Sequence, residues 1–510
     1  MTTRSLTRAS QTHSLSGHVD VLVVGAGISG IGLGHHLVTN QPGRTFAIVD
    51  SRDAIGGTWD LFRYPGIRSD SDLHTFGYEF KPWTNKNAIA DAHEILDYLH
   101  ETIAENDLGR RIYLGHKVLR ADWSSEDARW TVTLQRTHSG DRFELTCDVL
   151  FSAAGYYDYA AGHTPHFEGQ QDFSGLIVHP QAWPEDLDYR GKKVVVIGSG
   201  ATAVTLIPAM ADEVAHVTML QRSPSYVLPI PRQDPIANTL RRLLPDKIAY
   251  RITRRINIAR QRLIYGASQR YPRQVRRLIR AINARALPDG YAVDTHFNPG
   301  YNPWDQRLCA VPDSDLFKAI SSGKASVVTD RIARFTQRGI LLESGRELDA
   351  DIIVTATGLQ LLAFGGMQLT VDGQPVNVHD CLVYKSMMLS GVPNFAFAFG
   401  YTNSSWTLKV DLVCEHLCRM LAHMDRRGYT TVTAVVDDPT LTRRPMLDFS
   451  AGYVQRAVDL FPQQGSHGPW TVEMSYAADR ARLRNGPIED PALRFATAVR
   501  QADSSELATA

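Results

Sequence analysis

The stretch Val19-Asp-Val-Leu-Val-Val-Gly-Ala-Gly-Ile-Ser-Gly30 decides the fold of the first part of this 510-residue chain. Residues 19–24 are β-branched and almost wholly apolar, which predicts a buried parallel strand. A helix is expected after the glycines, with Ile28, Ile31 and Leu37 as its apolar positions. In such a unit the first glycine permits a tight turn, the second lets the backbone approach a pyrophosphate, and the third lets the helix pack on the strand.

An acidic residue completes this first motif. Residues 45–49 predict the next strand, and Asp50 follows it directly, twenty residues after Gly30. A carboxylate at that spacing binds a ribose hydroxyl in dinucleotide-binding proteins. The unit is therefore interpreted as a dinucleotide site. Its candidate contacts are Gly25, Gly27, Ser29, Gly30 and Asp50.

A second glycine motif lies in the middle of the chain. Residues 193–197 predict a strand that enters Gly198-Ser-Gly-Ala-Thr-Ala203, where alanine replaces the third glycine. The next predicted strand, 214–220, is followed by Arg222, which can bind the 2′-phosphate of NADPH where an acid would repel it. The alternative is that Arg222 is a surface arginine without a ligand. The candidate NADPH contacts of this unit are Gly198, Ser199, Gly200, Ala201, Thr202, Ala203, Val204, Arg222 and Ser223.

Two such units predict an α/β fold with two Rossmann-like dinucleotide-binding domains. Residues 232–299 differ from both, because arginines alternate there with Leu, Ile and Tyr at helical spacing. They predict a helical insertion in the second domain. One hypothesis is that its basic helices contact an anionic membrane surface; the favoured one is a solvated face that helps to roof the active site, and the two are compatible.

Composition excludes several other classes of protein. With 43% hydrophobic residues and zero formal net charge, the chain lacks the basic field of a nucleic-acid-binding protein. It contains no apolar run long enough to predict a transmembrane helix, and its Ser/Thr-rich start does not fit a secretory signal. The five scattered cysteines form no C-x-x-C pair, which argues against a disulfide reductase and for a reducing, cytoplasmic location. No metal site is expected.

Two longer motifs lie beside the glycine motifs. Residues 57–70 fit G-x-W-x-x-x-x-Y-P-G-x-x-x-D, and residues 173–184 fit F-x-G-x-x-x-H-x-x-x-W-P, with Phe173, Gly175, His179 and Trp183 at fixed positions. Both resemble signatures of the flavin-dependent Baeyer–Villiger monooxygenases. The phrase Trp59-Asp-Leu-Phe-Arg-Tyr-Pro-Gly-Ile-Arg-Ser-Asp-Ser-Asp72 is especially similar to the ethionamide-activating branch of that family. The resemblance extends over nearly the whole chain.

The resemblance implies an enzyme that uses FAD, NADPH and O2 to convert linear or aryl ketones to esters through a C4a-peroxyflavin, and that also oxidises thioethers. It implies that Arg307 stabilises the peroxide anion and that Asp70 orients this arginine. An arginine suits this task because it stays charged and supplies no proton at neutral pH. Further implied contacts are Thr58, Trp59, Asp60, Leu61, Asp70 and Val118 to FAD, and Arg68, Ser69 and Asp70 to NADPH.

Some assignments remain open at this point. His179 and Trp183 are assigned to linker conformation and domain coupling, with a purely structural loop role as the alternative for the histidine. A flavin N- or S-monooxygenase that uses the protonated hydroperoxide, and a redox flavoprotein without an oxygenated product, share the same glycine motifs. The expected domains are an FAD domain (19–156 and 359–498), an NADPH domain (157–231 and 300–358), the insertion (232–299) and disordered tails (1–18 and 499–510).

Overall fold

The computed structural model describes residue 15 and residues 17–306, 308–447 and 452–498. The predicted tail 499–510 and most of the predicted N-terminal tail lie outside the described residues. The strands are β1 (Gly17–Val24), β2 (Phe46–Val49), β3 (Ile112–Tyr113), β4 (His116–Ser124), β5 (Arg129–Arg136), β6 (Arg142–Ser152), β7 (Tyr157–Gly162), β8 (Leu176–Val178), β9 (Lys193–Ile197), β10 (His216–Gln221), β11 (Val227–Ile230), β12 (Cys309–Pro312), β13 (Ala325–Thr329), β14 (Ile332–Thr336), β15 (Gly339–Leu342), β16 (Glu347–Asp349), β17 (Ile352–Thr355), β18 (Leu359–Leu361), β19 (Gln368–Val371), β20 (Gln374–Pro375), β21 (Val383–Tyr384), β22 (Met388–Leu389), β23 (Phe395–Phe397), β24 (Thr431–Ala434), β25 (Arg443–Pro445), β26 (Gln463–Gly465) and β27 (Leu493–Ala496).

The helices alternate with these strands in both halves of the chain. They are α1 (Ile28–Asn40), α2 (Thr58–Leu61), α3 (Leu73–Phe76), α4 (Ala92–Glu105), α5 (Ala201–Met210), α6 (Pro235–Leu243), α7 (Asp246–Arg270), α8 (Pro272–Ala286), α9 (Val293–His296), α10 (Asp315–Ser321), α11 (Thr407–Arg427), α12 (Gly452–Gln455) and α13 (Tyr476–Asp479). The helices α6 to α9 fall within the predicted insertion. Among the described residues, every helix is too short or too polar to cross a membrane.

An eleven-stranded sheet carries the first glycine motif. Its main order is β20-β19-β4-β5-β6-β1-β2-β3, and β23 pairs with β6 to lead to β22 and β21. At its centre β1 pairs in parallel with β2 and β6. Val21 and Val23 enter one hydrophobic core and Leu22 enters the other. This alternation shows a strand buried on both faces, as its apolar run predicts.

A five-stranded parallel sheet carries the second glycine motif, in the order β13-β10-β9-β17-β8. The motif lies between β9 and α5, just as the first motif lies between β1 and α1. A parallel sheet must be covered on both faces, and two buried clusters flank this one. The predicted α/β fold with two Rossmann units is therefore present.

The chain passes between the two units through a short ribbon. β7 leaves the first sheet after β6, β18 leaves the second sheet after β17, and the two strands pair antiparallel. The two connecting strands, β7 and β18, therefore hold each other in place at the boundary between the two units. The first strand also starts earlier than expected: β1 begins at Gly17, and Gly17 and His18 pair with β6, although both were assigned to the tail.

The insertion packs on the first unit rather than only on the second, into whose sequence it is inserted. Arg254 on α7 is buried and donates hydrogen bonds to the carbonyl oxygens of His74 (3.0 Å), Thr75 (3.2 Å) and Gly77 (2.8 Å). Its guanidinium also lies 3.5 Å from the carboxylate of Asp411 on α11. The contact between α7 and the first unit could not be predicted from the sequence, because the partners of Arg254 are more than 150 residues away along the chain.

Candidate dinucleotide and substrate site

A cavity of about 970 Å³ lies between the two Rossmann units. Both glycine motifs open into it, together with the loop at 56–71 and the segment at 153–160. The predicted site residues that line it are Gly25, Gly27, Ser29, Asp50, Thr58, Trp59, Arg68, Ser69, Asp70, Val118, Gly198, Gly200, Ala201, Thr202 and Arg222. The structure thus brings residues predicted for two different nucleotides to one space.

The first motif forms a tight turn that ends at a helix terminus. Gly25 has a φ of +113°, and a Cβ there would lie 2.6 Å from the carbonyl oxygen of Ala153. A Cβ on Gly30 would lie 1.9 Å from the oxygen of Gly25, so Gly30 does not line the cavity but lets α1 approach the turn. Within the described chain, α1 has no side-chain cap and no acid in its first turn. Its N-terminal N–H groups therefore fit a phosphate group.

Asp50 holds this turn in place. Its carboxylate accepts hydrogen bonds from the backbone N–H groups of Ala26 (2.8 Å) and Arg52 (2.9 Å). Burial raises the pKa of the Asp50 carboxyl, and the two backbone hydrogen bonds oppose this shift. The acid is thus fixed at the carboxyl end of β2, facing the cavity, where a ribose hydroxyl would need it.

The second motif repeats this geometry with one difference. Gly198 has a φ of +136°, and a Cβ there would lie 2.4 Å from the oxygen of Ala356. A Cβ on Gly200 would meet no described atom within 4 Å, so open space lies over the start of α5. This helix also lacks a side-chain cap and a first-turn acid among the described residues. The second turn therefore also fits a pyrophosphate.

Arg222 stands exposed at the edge of the cavity, after β10. Among the described residues no carboxylate lies within ion-pair distance of its guanidinium. Ser199 points elsewhere, because its Oγ hydrogen-bonds Ser225 Oγ at 2.8 Å. Arg222 is therefore available to a phosphate group, whereas Ser199 is engaged within the protein.

The loop at 56–71 joins the first unit to the second. A Cβ on Gly66, which has a φ of +77°, would lie 2.6 Å from Ala209 Cβ on α5. Tyr64 hydrogen-bonds Thr202, and burial raises the pKa of the Tyr64 hydroxyl to about 12. The proline–glycine turn in this loop is thus a contact with the second unit.

Arg68, like Asp70, is a charged residue of this loop that lines the cavity. Its Nη1 donates to Asp315 Oδ2 on α10 at 2.5 Å, and 9% of its side chain is exposed. Its Nη2 is buried and has no hydrogen-bond partner among the described residues. A buried donor of this kind is expected to have a partner, so an anionic or carbonyl oxygen of a ligand fits here.

Aromatic residues outside the predicted set of site residues complete the first half of the site; the segment 400–409, which contains Trp406, was expected to pack near the flavin. Trp406 Nε1 donates to Ser29 Oγ at 2.9 Å, and its ring stacks on Tyr156 with centroids 5.3 Å apart. Tyr159 hydrogen-bonds Thr58 at 3.1 Å. The signal for the tyrosines is the run Tyr156-Tyr-Asp-Tyr159 directly after the small-residue turn.

The fingerprint segment lies away from the cavity lining. Phe173 is buried among the strands of the second unit, and a Cβ on Gly175 would collide with Asp351 and Phe173. His179 Nε2 lies 3.2 Å from the carbonyl oxygen of Gly358, and its Nδ1 accepts a hydrogen bond from Gln181 N. Burial lowers the pKa of this imidazole. Trp183 packs against Tyr189. His179 thus contacts the linker ribbon as a neutral ring.

The remaining predicted site residues are placed as follows. Asp60 forms an ion pair with Arg52, and Leu61 packs beside the core of the second unit. Ala203 and Val204 are buried in α5. Ser223 is exposed outside the lining. Arg307 lies outside the described residues; its chain neighbour Gln306 lines the cavity.

Fold and site together define a protein of the two-dinucleotide-binding class. A sequence profile described as pyridine nucleotide-disulphide oxidoreductase matches residues 22–227. All five cysteines lie among the described residues and are buried. Cys414 and Cys418 pack in the core along α11.

Closely similar relatives identify the family. The FAD-containing monooxygenase EthA of Mycobacterium tuberculosis is 53% identical over 480 residues, which cover 94% of this chain and 98% of the relative. EthA of Mycolicibacterium smegmatis is 48% identical over 479 residues, covering 94% and 97%. The chain belongs to the family of FAD-containing monooxygenases. The predicted resemblance and enzyme class are thereby confirmed.

Solved structures confirm the fold. An oxidised steroid monooxygenase bound to NADP has a TM-score of 0.73 at 22% identity, covering 94% of this chain and 100% of the other. An open structure of cyclohexanone monooxygenase has a TM-score of 0.71 at 21% identity, with the same coverage.

Proposed function

We propose that this protein is an NADPH- and O2-dependent Baeyer–Villiger monooxygenase that converts linear or aryl ketones to esters and also sulfoxidises thioethers. The observation that carries the proposal is the meeting of two uncapped helix N-termini at one cavity, spanned by the loop at 56–71. A reaction that passes a hydride between two nucleotides needs both phosphate sites to face one space. The overall balance is ketone, O2, NADPH and a proton to ester, NADP⁺ and water.

FAD is assigned to the first unit and NADPH to the second. Bound FAD supplies the oxygen-activating chemistry, with NADPH as the hydride source. The N–H groups at the start of α1 would hold the FAD pyrophosphate, Asp50 would bind the ribose, and Val118, which lines the cavity, would contact the adenine. Trp406 fixes Ser29 through its hydrogen bond, so Ser29 keeps one orientation beside the FAD phosphates.

Binding of NADPH uses the corresponding groups of the second unit. The start of α5, where the space over Gly200 is open, would hold the pyrophosphate, and Arg222 would bind the 2′-phosphate. Arg68, Ser69 and Asp70 face the cavity between the two units, where the nicotinamide must lie to meet FAD. The unpaired Nη2 of Arg68 is assigned to an NADPH oxygen.

Arg307 is proposed as the cation that stabilises negative charge on oxygen in the active site. It would act before a carbon substituent of the ketone moves from the carbonyl carbon to oxygen. Its permanent charge favours a deprotonated, nucleophilic oxidant and then the negative charge that develops on the ketone oxygen. Asp70, which faces the cavity, is proposed to orient it. His179 and Trp183 are assigned to coupling of the units, because His179 contacts the linker at Gly358.

A product assay tests this function. The yellow holoprotein is given NADPH, 18O-labelled O2 and a panel of linear ketones, an aryl ketone and an aryl thioether, and products are analysed by mass spectrometry. Esters with one labelled oxygen are the expected result. Sulfoxide without ester would replace the proposal with an electrophilic S-monooxygenase, and hydrogen peroxide alone across the panel would contradict it.

The role of Arg307 is tested in the same assay. Arg307→Ala should still show flavin reduction by NADPH while ester yield falls at least about 100-fold, since loss of a positioned charge costs roughly 3 kcal/mol of transition-state stabilisation. The matched control is Arg346→Ala, which removes an exposed arginine on a surface turn. Normal ester yield from Arg307→Ala would remove this residue from the mechanism.

A further inference from the structure

Exposed apolar side chains are concentrated on the helical insertion. In the described part of the chain, ten large apolar residues are classed as exposed, and eight of them lie between residues 236 and 278. These eight are Ile236, Leu243, Ile248, Ile256, Leu263, Ile264, Tyr271 and Leu278. Leu243 and Leu263 are each 74% exposed. Single exposed apolar residues need no explanation, but such a concentration on one insertion indicates an interaction surface.

The long helix α7 shows how this surface is arranged. Ile248, Ile256 and Leu263 are separated by eight and seven residues, so they fall within one arc of about 80° at 100° per residue. Tyr250 and Asn257 are buried on the other side of the helix. The apolar stripe therefore faces outward, whereas an amphipathic helix of a globular protein ordinarily turns its apolar side inward.

Polar contacts on the inner side of α7 fix this orientation. Arg254 donates to three carbonyl oxygens of the first unit, the Tyr250 hydroxyl donates to Tyr78 O at 2.8 Å, and Asn257 Nδ2 donates to Asp72 Oδ1 at 3.0 Å. Turning the stripe inward would break all of these contacts, carry Arg254 to the solvent side, and leave the buried Asp411 carboxylate without this cation. The unpaired buried carboxylate and the lost hydrogen bonds therefore oppose this rotation.

Positive charge surrounds the stripe. Residues 235–286 contain fourteen arginines and lysines and one acid, Asp246, although the chain as a whole has no net charge. Eleven of these basic residues are exposed: Arg242, Lys247, Arg251, Arg255, Arg260, Arg262, Arg270, Arg273, Arg277, Arg280 and Arg285. Arg251, Arg255 and Arg262 lie directly beside the apolar stripe of α7. Outward apolar side chains edged by arginines match the interface of an anionic bilayer, where acyl chains lie below phosphates.

We propose that the outward faces of α6, α7 and α8, together called the basic helical surface, bind the surface of an anionic lipid bilayer. α7, with 25 residues and a length of about 37 Å, lies parallel to the membrane plane. The apolar side chains enter the boundary between headgroups and acyl chains, and the guanidinium groups contact lipid phosphates. A second copy of the chain is a poorer partner, because two such surfaces carry the same sign of charge.

Vesicle co-sedimentation of the FAD-loaded protein tests this inference. Binding is expected to vesicles of equal parts phosphatidylglycerol and phosphatidylcholine, to weaken as salt is raised, and to be at least tenfold weaker on phosphatidylcholine alone. Equal binding to both vesicle types, or none to either, would overturn the proposal. Salt-dependent self-association without vesicle binding, seen by sedimentation velocity, would reassign the surface to a contact between copies.

Two sets of variants separate charge from apolar insertion. Arg251→Gln/Arg255→Gln/Arg262→Gln should weaken vesicle binding on the order of 100-fold, since each basic residue near an anionic surface contributes about fivefold. Leu243→Ser/Leu263→Ser should weaken it by roughly tenfold or more. Leu460→Ser is the matched control, because Leu460 is 51% exposed outside the insertion. Bound flavin and circular dichroism report folding, and unchanged binding by either set would contradict the proposal.

Discussion

Arg254 anchors the insertion to the first Rossmann unit, and Arg254→Met tests this anchor. The substitution keeps a long side chain but removes the charge and the donors to the carbonyl oxygens of His74, Thr75 and Gly77. It also leaves Asp411, whose side chain is 3% exposed, without its closest cation. Breaking a buried ion pair from one side costs about 3–5 kcal/mol, and the loss of a donor at three carbonyl oxygens places the expected loss near the upper end.

Urea denaturation of the FAD-loaded protein, followed by circular dichroism, measures this loss. Arg255→Met is the matched control, because the next residue on the same helix is exposed, and it should change the free energy of unfolding by less than about 0.5 kcal/mol. Adding Asp411→Asn to Arg254→Met should recover part of the loss, since the buried carboxylate is then neutral. Proteolysis should cut α7 faster in Arg254→Met than in the control.

The prediction extends to the flavin site. Thr75 Oγ1 lies 2.7 Å from Ser405 Oγ, and Phe76, next in the chain, lines the cavity. Loosening of α3 should therefore also increase the rate at which FAD dissociates. If Arg254→Met and Arg255→Met unfold at the same urea concentration, Arg254 does not anchor the insertion and the outward orientation of α7 has another cause.

Three further substitutions test other parts of the structure. Arg222→Gln should raise KM for NADPH by about 10- to 100-fold and leave KM for NADH unchanged, because only NADPH carries the 2′-phosphate. Steady-state kinetics with both nucleotides measure this difference. An equal rise in both KM values would refute the assignment of Arg222 to the 2′-phosphate. Gly30→Ala should abolish FAD retention, since its Cβ would lie 1.9 Å from Gly25 O, whereas Gly43→Ala meets nothing within 4 Å and should keep the flavin by visible absorbance. Burial lowers the pKa of His416 to about 4 from its usual 6.5, so the folded protein favours the neutral ring. The contribution of this site to the free energy of unfolding is therefore complete above pH 6.5. It falls by about 3 kcal/mol as the pH drops to 4. His416→Asn should flatten this pH dependence in urea denaturation, and an unchanged slope would contradict the assignment.

Most of the local structure and much of the site could be predicted from the sequence. Residues 193–197 form β9 as predicted, and the predicted strand at 45–49 corresponds to β2. These predictions succeed because glycine spacing and apolar runs are local constraints: a tight turn before a helix demands particular residues within a few positions. The fifteen predicted site residues that line the cavity belong to such local motifs or to the neighbouring loop.

The tertiary structure alone decided what lies beside what. The sequence assigned the insertion to the second domain, and the structure shows that α7 also binds the first through Arg254. The sequence did not predict this contact, because partners more than 150 residues apart leave no local pattern. Trp406 reaches Ser29 from 377 positions away for the same reason. An arginine–isoleucine pattern indicates an amphipathic helix, but which side faces solvent depends on the polar contacts that other elements offer. Sequence therefore determined the two nucleotide-binding units, and packing determined which surface of the insertion remains exposed.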